Sequence, residues 1–499
     1  MSFDLELFFD SERLSDCHYK LYKLGIKGKT YRLLNELNSN TKVRVKTPLG
    51  MTDSEEVDPG MTQGAVDASI VSSANVAGGI EEAFDDPERE VKFGDVQLAP
   101  LSFVDDIGKL SEDIESAQYG NDRIQVFVGS KTLSLNLQKS AFLIIGSKKQ
   151  RKNIQSNMKE NPITLLGQPM PQVKAIKHLG DYLTFSPEES VHQTVLKRVA
   201  IGKQSILEIR AVIEDFRAEK IGGINLAFTL FESTVANMIY FNSETWVNIQ
   251  KKTIRLLNGL YNDFFTTIFR IGKGIPVPNM YRICRTLLPE NEILLRKLNF
   301  TFHVANLSIG TLARDVYEVQ KNKSIGLFQE VEDHINRIGN NCLNDMSKLR
   351  FRALAKRYIS QKNKQDLVAM AQRYKKIDIE EFQNDSFTRK AYFQTLNLHD
   401  IRYKIRIEMK MVATIRQNYP SKYRRKNLSL SCPSCRNMST TIDQNTINTT
   451  EKFPDNQNHL LHECRSFSHL TQELDLRKDS DLIHFFKWIV EMRMEEGDD

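Results

Sequence analysis

No apolar run in this chain reaches the roughly 18 residues that a helix needs to span a bilayer, so no membrane span is expected. The opening Met1-Ser2-Phe3-Asp4-Leu5 has no basic region followed by a long apolar stretch, so no secretory leader is read. Cysteine is sparse: Cys17, Cys284 and Cys342 stand singly, while Cys432, Cys435 and Cys464 fall close together. That distribution excludes a disulfide framework and suits a reducing, intracellular compartment. There is no strong excess of one charge, since 69 basic residues face 63 acidic ones for a net +6, so bulk charge alone does not identify a polyanionic partner. No repeat recurs at a fixed period. What remains is an ordinary globular composition, 40 % hydrophobic and 26 % charged over 499 residues. It is enough chain for about three or four domains.

Residues 1–185 mix helical and strand signals. Leu14, Leu21, Leu24, Ile26, Leu33, Leu34 and Leu37 recur at helix-like intervals, with Gly25 and Gly28 marking a break. Thr41 to Thr47 alternates as a strand does, and Gly60 to Val76 reads as a small-residue loop leading into a helix. Leu98 to Leu110 reads as a hairpin, and short strands are expected within Thr132 to Ile145 and Ala175 to Phe185. From about residue 186 to 400 the strand signals vanish. Long amphipathic segments follow at Val191 to Phe216, Ile224 to Tyr240 and Trp246 to Leu260. Breaks are expected at Gly222-Gly223 and between Gly272 and Pro278. The polar stretch 436–458 predicts a flexible loop, and a last helix is expected near Asp481 to Met494.

The strongest chemical signal is Phe103-Val104-Asp105-Asp106-Ile107, with Leu98 and Leu101 before it and Leu110 after. Two apolar strands joined by a turn would carry both carboxylates at a hairpin tip. Paired carboxylates in such a place suit two-metal chemistry, in which divalent ions about 3.5–4 Å apart align an attacking hydroxyl with a phosphate. The chain holds its own control: Phe84-Asp85-Asp86-Pro87 lies among Glu81, Glu82 and Glu88, a polar, strand-breaking setting that reads as a surface turn. A third carboxylate comes from Phe3-Asp4-Leu5-Glu6-Leu7-Phe8-Phe9-Asp10.

In the order Asp4–Phe9–Asp10, Gly60-Met61-Thr62-Gln63-Gly64-Ala65, the aspartate hairpin, Leu135-Asn136-Leu137-Gln138-Lys139-Ser140 and His178-Leu179-Gly180-Asp181-Tyr182, the chain resembles the five palm motifs of reverse transcriptases from non-long-terminal-repeat retrotransposons. The resemblance implies an α+β fold: a polymerase palm over 1–185, an antiparallel sheet with helices, then a mostly helical thumb over 186–300 that includes Trp246. It implies Asp4 and Asp105 as Mg2+ (or Mn2+) ligands with Asp106 beside them, and Phe9 beneath the incoming sugar, excluding a 2′-hydroxyl. Gln63 and Gly64 would meet the template base and the nucleotide, and Lys139 would serve the leaving pyrophosphate as proton donor or charge partner. His178 to Tyr182 would form the primer-gripping turn. Taken singly, each has a plainer reading: Phe9 as a core aromatic, Gln63-Gly64 as a turn, Lys139 as a solvated lysine. Departures from the pattern are Leu7 where the family has a basic residue, Ala68-Ser69 where many relatives have Ser-Pro, and the bulky Val104 where a small residue is common. The family's palm follows a nucleotide-clamping fingers region, and here Asp4 lies three residues from the start, so the isolated chain is expected to be weak or inactive.

Near the other end, Cys432-Pro433-Ser434-Cys435 with His459 and Cys464 gives C-x2-C-x23-H-x4-C, a spacing suited to tetrahedral structural Zn2+. His462 competes for the third position, but a single residue separates it from Cys464, a strained reach, and His459 is preferred. The resemblance includes a His-x4-Cys half at this place. Between Arg402 and Lys426 nine basic residues and one acid, Glu408, are interleaved with Tyr403, Tyr419 and Tyr423. Basic side chains neutralise phosphates and aromatic rings stack on bases, so this stretch is expected to touch nucleic acid. The domain expectation is completed by a helical basic region at 301–428, the zinc knuckle at 429–470 and a helix and tail at 471–499, which holds no carboxylate constellation suited to a nuclease. The partners implied are an RNA template, a DNA primer and deoxynucleoside triphosphates, with nuclear and cytoplasmic residence. The alternative is a catalytically inactive, retrotransposon-derived zinc protein that binds nucleic acid.

Overall fold

The computed structural model describes residues 1–39, 42–56, 60–61, 65, 67–84, 86, 89–131, 133–217, 223–271, 277–339, 343, 346–374, 377, 379, 392–408, 482–484 and 487. Over these residues the protein is mixed α+β, mostly helical, with small antiparallel sheets. Two compact units divide it: one from Met1–Val195, Asn242–Thr253 and Arg296–Ala353, the other from Leu196–Phe241, Ile254–Leu295 and Leu354–Asp499. No described helix is long and apolar enough to cross a membrane.

The first unit is built around the strand that opens the chain, β1 (Ser2–Phe3), and its continuation β2 (Leu5–Glu6), with Asp4 between them. After them come α1 (Phe8–Ser11), α2 (Leu14–Lys23) and α3 (Gly28–Asn38). The break between α2 and α3 falls where Gly25 and Gly28 take positive φ, as the two glycines predict. Instead of one strand at 41–47 there are two short ones, β3 (Lys42–Val43) and β4 (Lys46–Thr47), which pair with β6 (Glu55–Glu56) and β5 (Gly50–Met51) respectively. Helix α4 (Ala68–Ala83) follows, and its interior Gly79 is explained by packing: a Cβ there would lie 2.3 Å from the Phe127 ring.

The expected hairpin is present as β9 (Leu101–Phe103) and β10 (Asp106–Gly108), preceded by the ribbon β7 (Val91–Phe93) and β8 (Val96–Leu98). Strand β10 pairs antiparallel with β9 on one edge and β1 on the other, in the register Ser2↔Gly108 and Phe3↔Ile107. Alternation along these strands sends Phe3, Leu5 and Ile107 into one core. Residues of α4 (Val76, Ile80) and of α5 (Ile114–Ser130), namely Ile124, Phe127 and Val128, close that core. Strand β11 (Ser134–Leu135) pairs with β2, and Ala141 bridges Ser2, so the opening strand is central rather than an edge. Helix α6 (Lys148–Glu160) and the hairpins β12 (Thr164–Leu165)–β13 (Gln168–Pro169) and β14 (Ile176–His178)–β15 (Asp181–Leu183) complete this stretch.

Beyond residue 186 the described elements are helical, beginning with α7 (Pro187–Arg217). The segment expected as one helix from Ile224 to Tyr240 contains a six-residue π-helical stretch, Phe231–Ala236, between Gly223–Leu230 and Asn237–Ile239. The Thr234 hydroxyl donates to the Leu230 carbonyl at 2.6 Å, a side-chain bond that competes with the α-helical ladder. Trp246 is not helical as expected. It follows a 3-10 turn, Ser243–Thr245, and the next helix starts only at Lys251. Asn242 and Asn248 on either side take left-handed φ of 58° and 54°, which interrupts the helix that periodicity alone suggests. In the second unit the part of the helix Lys251–Phe269 from Ile254 onward aligns Tyr261, Phe264, Phe265 and Phe269, which pack with Phe228, Phe231 and Tyr281.

Candidate carboxylate site on the opening strand

Sheet register brings the two ends of the predicted site together. Phe3 lies opposite Ile107, and both point into the core. One step along, Asp4 and Asp106 therefore project from the same, opposite face on neighbouring strands. Asp106 pairs with Phe103 across a two-residue turn, so Val104 and Asp105 are the turn itself. Val104 takes φ of +59° at the first turn position, where glycine is the residue of choice. Its side chain is nonetheless buried in the core beneath the sheet, and this burial holds a β-branched residue in a conformation it seldom adopts.

Electrostatics agrees with the crowding. Burial raises the Asp106 carboxyl above its ordinary value, the charges of Asp105 and Asp4 raise it further, and His178 and Lys177 oppose them. Sequence marks His178 only as part of a turn. Its ring carbon Cε1 would lie 3.9 Å from a Cβ on Gly108, beside β10. The β14–β15 turn that carries it uses Leu179 and Gly180, both at positive φ.

Asp4 is held by its main chain. Its N–H donates to Ser140 Oγ at 3.2 Å, and its carbonyl accepts from the Asn136 N–H at 2.9 Å. Asn136 Oδ1 in turn accepts from the N–H groups of Gln138 and Lys139, which curls this segment back across Asp4. The result is that Lys139 Nζ lies 3.5 Å from Asp4 Oδ2. That oxygen is enclosed and accepts no hydrogen bond, so the lysine is an ion-pair partner without a directed bond. The roles of Ser140 and Asn136 in this arrangement are not visible in their spacing.

Phe9 is half-buried, edge-on to Phe8 at 5.3 Å between ring centroids, and packs against two core clusters. Its carbonyl accepts from the Met61 N–H at 2.7 Å. Gly60, at φ +135°, sits so close that a Cβ would lie 3.1 Å from the Phe9 oxygen and from the Asp10 Cα and oxygen. The Gly60-Met61 segment is thus seated on Phe9-Asp10. Gln63 and Gly64, which follow it, lie outside the described residues, as do Cys432, Cys435, His459, His462, Cys464 and the basic stretch beyond Glu408. Among the described residues, no three His, Cys, Asp or Glu side chains converge closely enough to hold a metal ion. Asp4 and Asp106 share a face, but Asp105 occupies the turn and Asp4 is engaged by Lys139.

No protein-family model matches the chain, and no curated protein is recognisably similar to it.

Proposed function

We propose that the chain is a reverse transcriptase-like nucleotidyltransferase, adding deoxynucleotides to a DNA primer on an RNA or DNA template. In this reading residues 1–185 are its palm and 186–300 its helical thumb. The observation that supports it best is the β1–β10 register, which sets Asp4 beside Asp106 on the face turned away from the core. The residues suit a divalent cation: Asp4 Oδ2 is enclosed with only the undirected Lys139 ammonium beside it, and Asp106, raised first by burial, is raised further by the Asp105 and Asp4 charges, the part that a cation would relieve. Asp4 and Asp105 would hold Mg2+ or Mn2+, with Asp106 beside them. When bound, such ions supply the positive charge that activates a primer hydroxyl and neutralises a triphosphate.

The chain's own side chains do the rest. Phe9, wedged between two clusters, offers a fixed aromatic wall for a sugar that lacks a 2′-hydroxyl. Gly60-Met61, seated on Phe9-Asp10, starts the segment whose Gln63 and Gly64 would face template and nucleotide. Lys139, exposed and 3.5 Å from Asp4, can turn its ammonium to a leaving pyrophosphate as charge partner or proton donor. Cys432, Cys435, His459 and Cys464 would hold a structural Zn2+, in a region that contacts nucleic acid.

Mn2+ binding followed by electron paramagnetic resonance, beside primer extension on an RNA template, tests this reading. Asp4→Asn and Asp105→Asn should each weaken Mn2+ binding by about tenfold or more, about 1.4 kcal/mol, and abolish any extension. Mn2+ binding indifferent to both substitutions would sink the catalytic reading and leave a non-catalytic nucleic-acid-binding protein.

A further inference from the structure

Helix α6 carries a charge pattern that its own fold does not need. Over Lys148–Glu160 it holds five basic residues, Lys148, Lys149, Arg151, Lys152 and Lys159, against one acid, Glu160, at its last position. Four of the five crowd its first five positions, where they repel one another and oppose the positive end of the helix dipole. None has an acidic partner among the described residues; Arg151 instead lies over the Phe185 ring at 4.1 Å. For the lysines this is a local conflict with no compensating contact among the described residues, and a binding surface accounts for it.

Packing fixes which way the charges point. Only Arg151, Ile154 and Met158, spaced three and four apart, are half-buried, so a narrow strip anchors the helix. The four lysines are exposed, together with Gln150, Asn153, Gln155, Ser156 and Asn157, and Glu160 at the far end from the lysine cluster. The helix start is rigid: Ser147 and Gln150 form a capping box, each side chain bonding the other's backbone N–H. Ile154 and Met158 line an apolar cavity of about 510 Å³ whose other walls include Leu101 of β9, Gly108 of β10 and His178. The cationic face therefore belongs to the same unit as the aspartate hairpin and is braced against its strands.

We propose that the exposed face of α6 binds the sugar–phosphate backbone of a nucleic-acid duplex. Lysines supply the phosphate contacts, and the interleaved amides and hydroxyl suit phosphate and sugar oxygens. A membrane surface fits less well, because the exposed face has no large apolar side chain to insert: Ile154 and Met158 both point inward. The proposal extends the polymerase reading by assigning a duplex-contact surface, yet it stands on charge and exposure and does not depend on the carboxylates.

The test is the salt dependence of binding to a labelled DNA duplex by fluorescence anisotropy, using the whole chain. The combined variant Lys148→Gln, Lys149→Gln, Lys152→Gln keeps the Ser147–Gln150 cap, and its helicity is checked by circular dichroism. Because three phosphate-neutralising lysines are removed, the slope of log affinity against log salt should become shallower by about 2.7, about 0.9 for each lysine. A control variant, Lys23→Gln, Lys29→Gln, Lys46→Gln, removes the same charge from exposed positions elsewhere in the unit and should leave the slope within about 0.9 of the parent's, the share of a single lysine. Equal slopes for the two triple variants, or an α6 variant that binds duplex like the parent, would overturn the proposal. So would an α6-dependent affinity for phosphatidylserine vesicles with none for the duplex. Duplex binding and Mn2+ binding are read separately on the same protein. A failed α6 result with Asp105-dependent Mn2+ binding would therefore remove only this surface, and the converse would remove only the catalytic reading.

Discussion

Glu214 is where a single charge should matter most to the second unit. Its carboxylate accepts from Arg270 Nε at 3.0 Å, Arg402 Nη2 at 2.8 Å and Arg210 Nε at 3.3 Å. Partial burial pushes the carboxyl up, but hydrogen bonds from Arg270 and Arg402 and the charges of Arg210 and Arg270 outweigh that and hold it down at about 2. Arg402 is the more deeply buried partner, and its Nε donates to the Ile268 carbonyl at 2.9 Å. Burial disfavours the Arg402 cation too, but a guanidinium does not deprotonate near neutrality, so the cost appears as a demand for Glu214. A carboxyl drop from 4.5 to about 2 corresponds to about 3 kcal/mol at about 1.36 kcal/mol per unit. The Glu214 side chain is 20 % exposed, and solvent screening trims the figure to about 2–3 kcal/mol. Glu214→Gln should therefore destabilise the second unit by about 2–3 kcal/mol at pH 7. The sign with pH follows from a depressed folded value. The contribution is fully present above the unfolded carboxyl value near 4.5 and is lost as the pH falls through about 2. Hydrogen exchange read on peptides from 196–217 and Leu398–Glu408, at pH 7 and again near pH 2.5, isolates this unit from the other. Parent and variant should differ widely at neutral pH and converge in acid. A difference under about 0.5 kcal/mol at pH 7, within the range of ordinary surface substitutions, or one that persists unchanged in acid, would refute the reasoning.

Two further substitutions probe the carboxylate site. At Val104 the usual order of glycine and alanine should invert: Val104→Ala loses the buried side chain and keeps the strained φ, whereas Val104→Gly relieves the strain, so glycine should be more stable by about 1 kcal/mol in urea denaturation. If alanine is the more stable of the two, the left-handed turn is not strained. At Gly60, Gly60→Ala meets both a forbidden φ and the Phe9-Asp10 backbone, and should cost about 2–5 kcal/mol; a loss below about 1 kcal/mol would mean that this segment does not rest on the Phe9 carbonyl.

The parts of this fold that are legible in the sequence are those governed by neighbours in the chain. Helix periodicity around Gly25 and Gly28 and the apolar flanks of the aspartate pair become α2, α3 and the β9–β10 hairpin. Two helices escape a reading by apolar period although their starts are written in the sequence. Asp113 caps α5 by accepting from the Ser116 N–H at 2.7 Å, and Ser147 with Gln150 caps α6. The apolar period of α5 is interrupted at Gly120 and Asn121, both buried, because Asn121 serves the Thr164 carbonyl at 2.8 Å instead of the core. Tertiary use of a polar residue hides a helix from any pattern count.

The adjacency of Asp4 and Asp106 is a different case, for it joins a two-residue strand to another a hundred positions away, yet the alternation encodes it. Phe3, Leu5 and Ile107 must face one core, and pairing Phe3 with Ile107 leaves no place for Asp4 and Asp106 except side by side on the other face. A slip of β1 by one residue would turn Asp4 inward among Val76, Ile80 and Phe127 and expose Phe3 and Leu5. Burying an unpaired carboxylate there costs several kcal/mol, and exposing two large apolar side chains adds about 1.5–3 kcal/mol for each. That penalty rivals the stability of a small domain, about 5–15 kcal/mol, so the core itself enforces the register. The same apolar residues that make the strands thus force two like charges together, and the fold sets Lys139 beside Asp4 and the charges of His178 and Lys177 against Asp106 to offset them.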